Sequence, residues 1–352
     1  MPNYNHAGYL PGALQAILGQ SYRPAEIIVL DDCSTDQSVD IVEGFARKDP
    51  LVRLVRNERN MGVNYSVSRL VEMASGDYVC STAADDRLLP GFLEKSMRLL
   101  ARHPRAGLCS TMSKVVDAAT ERETNVMPLE NVSAREGYVS PEEALSWFRR
   151  RESWIMGNTC VYRRAALVEA GGFIPELHAF ADGFIQMVLA LKHGACFIPE
   201  PLAVWRVSPS GYATESVTNL DVSLEMWSNA ARLMRTTYGD LFPRDYADAW
   251  EKRHLYHARL SALNKLQKQQ LAVVEGFTPG RGFVDRVFKA GTKGIIRAQL
   301  LALTGCLLLR FGRGIWPVLS QGVKVALQRF RLKRKAPGSP SGTGEMELDR
   351  LG

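Results

Sequence analysis

Residues 26–31 have the sequence Glu-Ile-Ile-Val-Leu-Asp, a short apolar run that ends in a carboxylate. An uninterrupted run of aliphatic residues is typical of a strand that is buried on both faces, as in a parallel sheet. Apolar residues recur at helical spacing before this run and predict a helix over residues 9–20. Ser34 follows the run and is predicted to cap a helix that extends to residue 47. This part of the chain is therefore predicted to be helix, buried strand and helix.

The same alternation continues for about eighty residues. Apolar runs predict strands at residues 51–55, 77–82 and 106–110, and helical periodicity predicts helices at 62–74 and from Pro90 to about residue 103. Strands that alternate with helices at this spacing predict a doubly wound, Rossmann-like α/β domain with a mostly parallel sheet. Ligands of such sheets bind at the carboxyl ends of the strands.

Two pairs of aspartates follow predicted strands, Asp31–Asp32 and Asp85–Asp86. An aspartate pair that precedes a helix often only caps that helix. At the carboxyl end of a strand in an α/β sheet, however, the same pair lies where ligands bind. Their position therefore favours a ligand site over a capping turn, whereas the acidic residues Glu121 and Glu123 have no such position and are interpreted as a solvated face.

Four short motifs occur in order along the first quarter of the chain. They are Pro-Asn-Tyr-Asn at residues 2–5, Asp-Asp-Cys-Ser-Thr-Asp at 31–36, Asn-Met-Gly-Val-Asn at 60–64, and Ala-Asp-Asp-Arg-Leu-Leu-Pro-Gly-Phe at 84–92. Together they resemble the family-2 inverting glycosyltransferases of the GT-A fold, and the resemblance covers roughly residues 1–210. It implies a UDP-, dTDP- or GDP-sugar donor and a saccharide or lipid-linked acceptor, in cell-surface polysaccharide or glycolipid synthesis.

The resemblance also implies roles for individual residues. Asp85 and Asp86 would bind Mg²⁺ or Mn²⁺, whose charge offsets that of the leaving diphosphate. Asp182, at the start of a helix predicted over residues 182–193, would be the catalytic base that removes the proton of the acceptor hydroxyl. The donor would be bound by Pro2, Tyr4, Asp32, Asn60, Gly62, Asn64, Asp85, Trp205 and Arg206.

Alternatives to these roles stay open at this point. Asp182 also fits a helix N-cap, and Trp205 also fits a core position. In the family, a carboxylate commonly stands where this chain has Ala83, and Glu commonly stands where it has Ala181. A non-catalytic nucleotide-sugar-binding or membrane-associated scaffold protein is therefore the alternative function. Sugar-phosphate nucleotidylyl transfer is disfavoured because no Gly-rich phosphate loop bearing Lys or Arg is present.

The resemblance further implies that an apolar strand precedes Pro2, near the middle of the sheet. A missing central strand would leave backbone groups of its two neighbours unpaired. We therefore expect the natural start of the chain to lie upstream, and comparison of an N-terminally extended form with this one would test that expectation.

The domain plan predicted from the sequence has four parts. Residues 1–215 form the GT-A domain, 216–280 a helical extension, 281–335 a basic amphipathic helical module, and 336–352 a disordered tail rich in Gly, Ser and Pro. The basic module contains 13 Lys or Arg and one acidic residue, so it carries +12 in a chain of net charge +7. Alternating apolar and cationic residues favour an anionic membrane surface over a solvated face. No nucleic-acid partner is expected because no DNA- or RNA-binding motif accompanies the charge.

The cysteines and apolar segments bear on the compartment. The six cysteines show no C-x-x-C spacing, and most lie in apolar runs, which favours reduced thiols. The first residues lack the basic and apolar parts of a signal peptide. The longest strongly apolar stretch, residues 300–309, is shorter than the ~20 residues needed to span a bilayer. We therefore expect a cytoplasmic protein, peripheral on the cytoplasmic face of the membrane.

Overall fold

The computed structural model describes residues 1–128, 133–150, 154–208 and 211–265. The strands are β1 (Pro2–Asn3), β2 (Ile27–Asp31), β3 (Val52–Arg56), β4 (Tyr78–Cys80), β5 (Arg87–Leu88), β6 (Leu108–Asp117), β7 (Glu123–Met127), β8 (Gly137–Val139), β9 (Val161–Arg163) and β10 (Ala195–Val207). The helices are α1 (Leu10–Leu18), α2 (Ser38–Ala46), α3 (Val63–Met73), α4 (Phe92–Arg102), α5 (Pro141–Arg150), α6 (Arg164–Glu169), α7 (Ala181–His193), α8 (Tyr212–Thr218), α9 (Leu220–Arg235) and α10 (Arg244–Lys265). Short 3-10 segments lie at Gly157–Thr159 and Pro175–Phe180. The basic module and the tail predicted at 281–335 and 336–352 lie outside the described residues.

The N-terminal sheet is parallel and has β2 in its middle, between β1 and β3. All five residues of β2 are buried, as its apolar run predicts. Val29 packs in a core with α1 and α2 on one face, and Leu30 packs against Leu70 of α3 on the other. Helices on both faces explain why this strand lacks the polar alternation of an exposed sheet.

The second sheet has the order β4-β9-β6-β10-β5, with β7 beside β6 and β8 beside β10. Its long strands β6 and β10 run parallel, whereas its other strand pairs within the described residues are antiparallel. The predicted α/β architecture is confirmed, but among the described strands parallel pairing is limited to β2 with its neighbours β1 and β3 and to β6 with β10. β7 follows β6 directly and pairs with it as a hairpin, which needs no crossover helix.

β10 is longer than the apolar run at residues 195–198 predicts, because it continues through Pro199 and Pro201 to Val207. Its register with β6 shifts between Ile198 and Pro201 and again before Ala203. A bulge of this kind tolerates proline within a strand because the ladder is interrupted there. The continuation is what brings Trp205 and Arg206 into the sheet.

Two predicted helix starts are wrong by two to four residues. α2 begins at Ser38, where the backbone N–H donates to Asp36 Oδ1 over 3.0 Å, so Ser34 does not cap it. The Ser34 hydroxyl instead accepts from the backbone N–H of Asn5 at 2.9 Å, which ties two of the sequence motifs together. α4 begins at Phe92, after Gly91 in the left-handed conformation. The described residues between 112 and 150 include the end of β6 together with β7, β8 and α5.

The largest core surrounds α7, which is buried along most of its length. Side chains of α9 and α10, such as Met234 and Trp250, belong to the same cluster as Phe184 of α7. Phe180, just before α7, packs 4.9 Å from Trp227 and 5.4 Å from Trp250 between ring centroids. The helices that follow residue 215 thus hold the start of α7 in place. The domain boundary at residue 215 stays a prediction.

An apolar cleft of about 550 Å³ separates β2 from β4 and is lined by Ile28, Val71 and Tyr78, among others. Pro2 and Asn3 form a short strand, β1, where the sequence pattern predicts none. Within the described part of the chain, no helix is both long and apolar enough to cross a bilayer.

Candidate active site

The acidic turn at residues 83–86 follows β4 and leads directly into β5. The backbone N–H of Asp86 donates to the carbonyl of Ala83 at 3.3 Å, which closes the turn. β5 then pairs antiparallel with β10, opposite Ala203 and Val204. Asp85 is half-buried, and Asp86 is only 5% exposed. The two carboxylates therefore follow the carboxyl end of β4, as predicted, and lie beside β5 at the edge of the second sheet.

Asp86 is held by β10. Its Oδ1 atom accepts a hydrogen bond from the backbone N–H of Arg206 at 3.0 Å. Burial and, after it, the charge of Asp85 raise the pKa of Asp86 to about 8, although Arg206 and the Asn158 side chain act in the opposite direction. The positive charge near Asp85 and Asp86 is thus too small to keep both carboxylates ionised at neutral pH.

The carboxylates of Asp85 and Asp86 fit a divalent cation whose remaining ligands are phosphate oxygens and water. No group of three or more His, Cys, Asp or Glu side chains that could hold a metal occurs among the residues that the structure describes. Mg²⁺ in nucleotide sites is commonly bound by only one or two carboxylates, together with phosphate oxygens and water. Asp85 and Asp86 meet that requirement. A cation there would also relieve the repulsion between them.

Asp182 lies in the first turn of α7, whose N-cap residue is Phe180. Its Oδ1 atom accepts from the backbone N–H of the adjacent Gly183 at 2.6 Å. Since the N-cap position belongs to another residue, the capping alternative for Asp182 is wrong. Burial raises its pKa to about 6, although local backbone hydrogen bonds act in the opposite direction. A carboxylate with this pKa suits proton abstraction near neutral pH.

A two-residue segment, Gly157–Asn158, connects the acidic turn to Asp182. The side chain of Asn158 lies near enough to Asp86 to lower the pKa of that carboxyl, and its Nδ2 donates to Ser113 Oγ at 3.2 Å. A Cβ atom on Gly157 would overlap Oδ2 of Asp182. The two predicted catalytic sites are therefore neighbours across this segment, although Asp86 and Asp182 lie 96 positions apart in the sequence.

Replacing Gly157 by alanine is expected to displace the Asp182 carboxylate and to lower kcat about tenfold to a hundredfold, with little loss of folding stability. Gly157→Ala would be compared with Gly137→Ala, where an added Cβ meets no atom within 4 Å. Steady-state kinetics and thermal melts check the effect. Wild-type turnover by Gly157→Ala would show that the close contact is not needed.

The nucleoside side of the predicted site is built around Asp32, which is buried. Its Oδ1 accepts from Asn57 Nδ2 at 2.7 Å and from the backbone N–H of Met61 at 2.8 Å, and its Oδ2 accepts from Gly62 N–H at 2.8 Å. Asn60 Oδ1 also accepts from Gly62 N–H, at 3.0 Å. Gly62 has φ +86°, which only glycine adopts readily. Asp32 therefore fixes the loop that carries Asn60 and Gly62.

The remaining predicted donor residues lie in different surroundings. Tyr4 is 44% exposed directly after Pro2 and Asn3 of β1, beside the Asp32 loop in the parallel sheet. Asn64 donates to the carbonyls of His178 at 2.9 Å and Pro175 at 3.4 Å. Asn64 thus connects α3 to the segment that precedes Asp182. Trp205 is half-buried on β10, opposite Val115 of β6. Their donor-binding roles stay predictions.

Three residues at the site were not predicted. Gly157 and Asn158 follow no motif, and their neighbours in sequence gave no signal. Glu121, interpreted from the sequence as part of a solvated face, instead forms an ion pair with Arg206 at 2.8 Å. Glu123 does face solvent and pairs with Lys114. Sequence spacing could not have found these contacts, because each joins segments that are distant in the sequence and meet only through tertiary packing.

Known proteins are similar to the N-terminal part of this chain, which contains the acidic turn. Residues 1–169 match the family described as glycosyl transferase family 2. Uncharacterized protein MT1568 of Mycobacterium tuberculosis is 30% identical over 211 residues, which are 58% of this chain and 65% of that protein. The putative teichuronic acid biosynthesis glycosyltransferase TuaG of Bacillus subtilis is 32% identical over 99 residues, 28% of this chain and 39% of that protein. The chain thus spans less than two thirds of the length of these relatives.

Two solved structures share the fold. S. aureus TarS 1–349 in complex with UDP-GlcNAc has a TM-score of 0.62 at 16% identity and covers 95% of this chain and 90% of that one. The mannosyltransferase PcManGT from Pyrobaculum calidifontis, in complex with GDP-Man and Mn²⁺, has a TM-score of 0.50 at 18% identity and covers 94% and 86%. The predicted GT-A fold is confirmed, and residues 1–169 of this chain are similar to glycosyl transferase family 2.

Proposed function

We propose that this protein is a metal-dependent glycosyltransferase that moves a sugar from a nucleotide-diphosphate donor to an acceptor hydroxyl with inversion. The observation that carries the proposal is the position of two carboxylate sites on either side of Gly157–Asn158. One is an aspartate pair suited to a cation, and the other is an aspartate whose pKa suits a base. Transfer from a diphosphate sugar needs both functions.

The roles of the residues follow from their surroundings. Asp85 and Asp86 would hold Mg²⁺ or Mn²⁺, which when bound supplies positive charge for the leaving diphosphate. Asp182 accepts the proton of the acceptor hydroxyl as that oxygen attacks the anomeric carbon. A base across the pocket from the diphosphate directs attack from the opposite face of the sugar, and inversion is the outcome. Removal of water around Asp182 by burial strengthens it as a base.

The donor side of the proposal rests on the loop fixed by Asp32. Pro2 and Tyr4 would line the nucleoside pocket with Asp32, and Asn60, Gly62 and Asn64 would lie near the ribose or diphosphate. Trp205 and Arg206 would close the site near the phosphates. A UDP-, dTDP- or GDP-sugar is the proposed donor, and the complexes of TarS with UDP-GlcNAc and of PcManGT with GDP-Man support this class.

The proposed acceptor is a saccharide or a lipid-linked saccharide of cell-surface polysaccharide or glycolipid synthesis. The named role of TuaG in teichuronic acid biosynthesis supports the polysaccharide class. The +12 segment at residues 281–335 supports peripheral contact with an anionic membrane on its cytoplasmic face. Flotation with anionic liposomes, with and without that segment, tests the membrane contact.

Mn²⁺ affinity is expected to rise about tenfold per pH unit up to about pH 8 and then to level off. The reason is that a proton on Asp86 competes with the metal, and its raised pKa keeps that proton bound at neutral pH. Calorimetry near pH 7 in buffers of different ionisation enthalpy should detect release of about one proton per Mn²⁺. Equal affinity at about pH 6 and pH 8 would contradict the assignment of Asp86 as a ligand.

The proposed activity is tested by incubating the full chain with a panel of nucleotide sugars and Mn²⁺. Release of nucleoside diphosphate from at least one donor, abolished by a chelator, is the expected result. The alternative is a non-catalytic nucleotide-sugar-binding or scaffold protein, for which Ala83 is the motivating feature, since it removes one expected carboxylate. Thermal stabilisation by a donor without any turnover, even with candidate acceptors present, would favour that alternative.

A further inference from the structure

A bidentate ion pair connects the turn after β6 to the end of β10. Glu121 Oε1 accepts from Arg206 Nε at 2.8 Å, and Oε2 accepts from Nη2 at 3.1 Å. The Arg206 side chain is only 11% exposed, whereas the Glu121 side chain is 54% exposed. Two parallel hydrogen bonds fix the plane of the guanidinium as well as its position. We refer to this pair as the Glu121–Arg206 clasp.

Arg206 also donates hydrogen bonds to the acidic turn. Its Nη1 atom donates to the backbone carbonyl of Asp85 at 2.6 Å, and its backbone N–H donates to Asp86 Oδ1. The guanidinium also lies 5.3 Å from the ring centroid of Tyr9. One residue therefore holds both members of the aspartate pair, Asp85 through its main chain and Asp86 through its carboxylate.

The turn that presents Glu121 is fixed by its own hydrogen bonds. Asp117 Oδ1 accepts from the backbone N–H groups of Ala119 and Thr120, and the Asp117 carbonyl accepts from Glu121 N–H at 2.8 Å. Glu121 has φ +52°, in the left-handed region that favours glycine. Glycine would adopt this backbone conformation more readily than glutamate does. The contribution of Glu121 to the site therefore lies in its carboxylate and not in its backbone.

We propose that Glu121 is a positioning residue for the metal site. It holds the Arg206 guanidinium against the Asp85 carbonyl and thereby fixes the orientation of the Asp85–Asp86 turn toward its cation. The inference rests on the proposed function, because it assumes that this turn binds the cation. Partners that orient the ligands of a metal commonly change its affinity by about tenfold to a hundredfold when removed.

Three variants of the full chain separate the carboxylate from the backbone. Glu121→Gln keeps the size of the side chain but loses the bidentate ion pair. Glu121→Gly relieves the left-handed backbone and removes the carboxylate. Glu123→Gln is the matched control, because Glu123 lies on the same hairpin and pairs with Lys114 at 3.2 Å, away from Arg206.

Mn²⁺ affinity, measured by calorimetry, is expected to fall about tenfold in both Glu121 variants and to stay unchanged in Glu123→Gln. Melting temperatures should change little, because an ion pair with one exposed member contributes little to stability. Wild-type affinity in Glu121→Gly would overturn the proposal, since it would show that only the shape of the turn matters. An equal loss in Glu123→Gln would overturn it as well.

A second measurement keeps this inference separate from the proposed function. In ¹⁵N-arginine spectra of the full chain, the Arg206 Nε–H, assigned by its loss in Arg206→Lys, should exchange slowly in the wild type and rapidly in both Glu121 variants. If the wild type bound no Mn²⁺, the proposed function would fail while this result still supported the clasp. Rapid exchange of that N–H in the wild type would overturn the clasp itself.

Discussion

Replacing Asp182 by asparagine is expected to lower kcat by about a hundredfold to ten-thousandfold, with little change in donor affinity. Asparagine has nearly the same shape but cannot accept the proton of the acceptor hydroxyl. In the wild type, kcat/KM should fall about tenfold per pH unit below about pH 6, because the protonated carboxyl of Asp182 is inactive. Steady-state kinetics across pH, with donor affinity from calorimetry, checks both parts.

A matched control exists for the effect of a carboxylate in the first turn of a helix. Asp221 holds the same position in α9 as Asp182 holds in α7, the second residue after the N-cap, and it is exposed. Asp221→Asn should leave kcat unchanged. Because the pKa of Asp182 is raised in the folded protein, its ionised form costs stability above the pKa of the unfolded chain. Asp182→Asn should therefore melt no lower than the wild type at neutral pH, and unaltered turnover in this variant would rule out its role as base.

Replacing Asp85 by asparagine is expected to lower metal-dependent turnover by at least about a hundredfold and to weaken Mn²⁺ binding strongly. Asparagine keeps the backbone carbonyl that accepts from Arg206, so the turn itself should persist. The loss should therefore come from the missing negative charge. Calorimetric Mn²⁺ titration and donor turnover at saturating metal are the measurements.

Asp77→Asn is the control for Asp85→Asn, because Asp77 precedes β4 and the acidic turn follows it. Asp77 is exposed, and its substitution should leave Mn²⁺ affinity unchanged. If both variants bound Mn²⁺ as the wild type does, the metal site would have to lie elsewhere. If both lost it equally, a general electrostatic effect of the protein surface would explain the loss better than ligation does.

The parts of the fold that the sequence predicts well are those with local causes. β2 is an uninterrupted apolar run, and its burial from helices on both faces follows from that pattern. The acidic turn at residues 83–86 follows a strand that the local pattern also predicts. By contrast, β10 extends past two prolines because its pairing with β6 accommodates a bulge. No local sequence pattern indicates which strand will pair with β10. The mixed pairing of the second sheet was missed for the same reason.

The residues of the candidate site also fall into those that the sequence predicts and those that it does not. Asp85, Asp86 and Asp182 could be predicted because residue type, strand-end position and family motifs agree. Gly157, Asn158 and Glu121 could not, since their contacts to Asp182, Asp86 and Arg206 depend on tertiary packing. Glu121 shows the difficulty most clearly, because an exposed glutamate in a polar hairpin turn resembles any solvated residue. The position of Arg206 on the extended β10 is what gives that carboxylate its bidentate hydrogen-bond partner.

Calorimetric titration of the full chain with UDP and with GDP, each in the presence and absence of Mn²⁺, is the decisive measurement. A diphosphate held through a cation on Asp85 and Asp86 predicts that at least one nucleotide binds only when Mn²⁺ is present. The same binding should be lost in Asp85→Asn and retained in Asp77→Asn. Binding of equal affinity with and without Mn²⁺, or unchanged binding in Asp85→Asn, would contradict a metal-dependent donor site at the acidic turn.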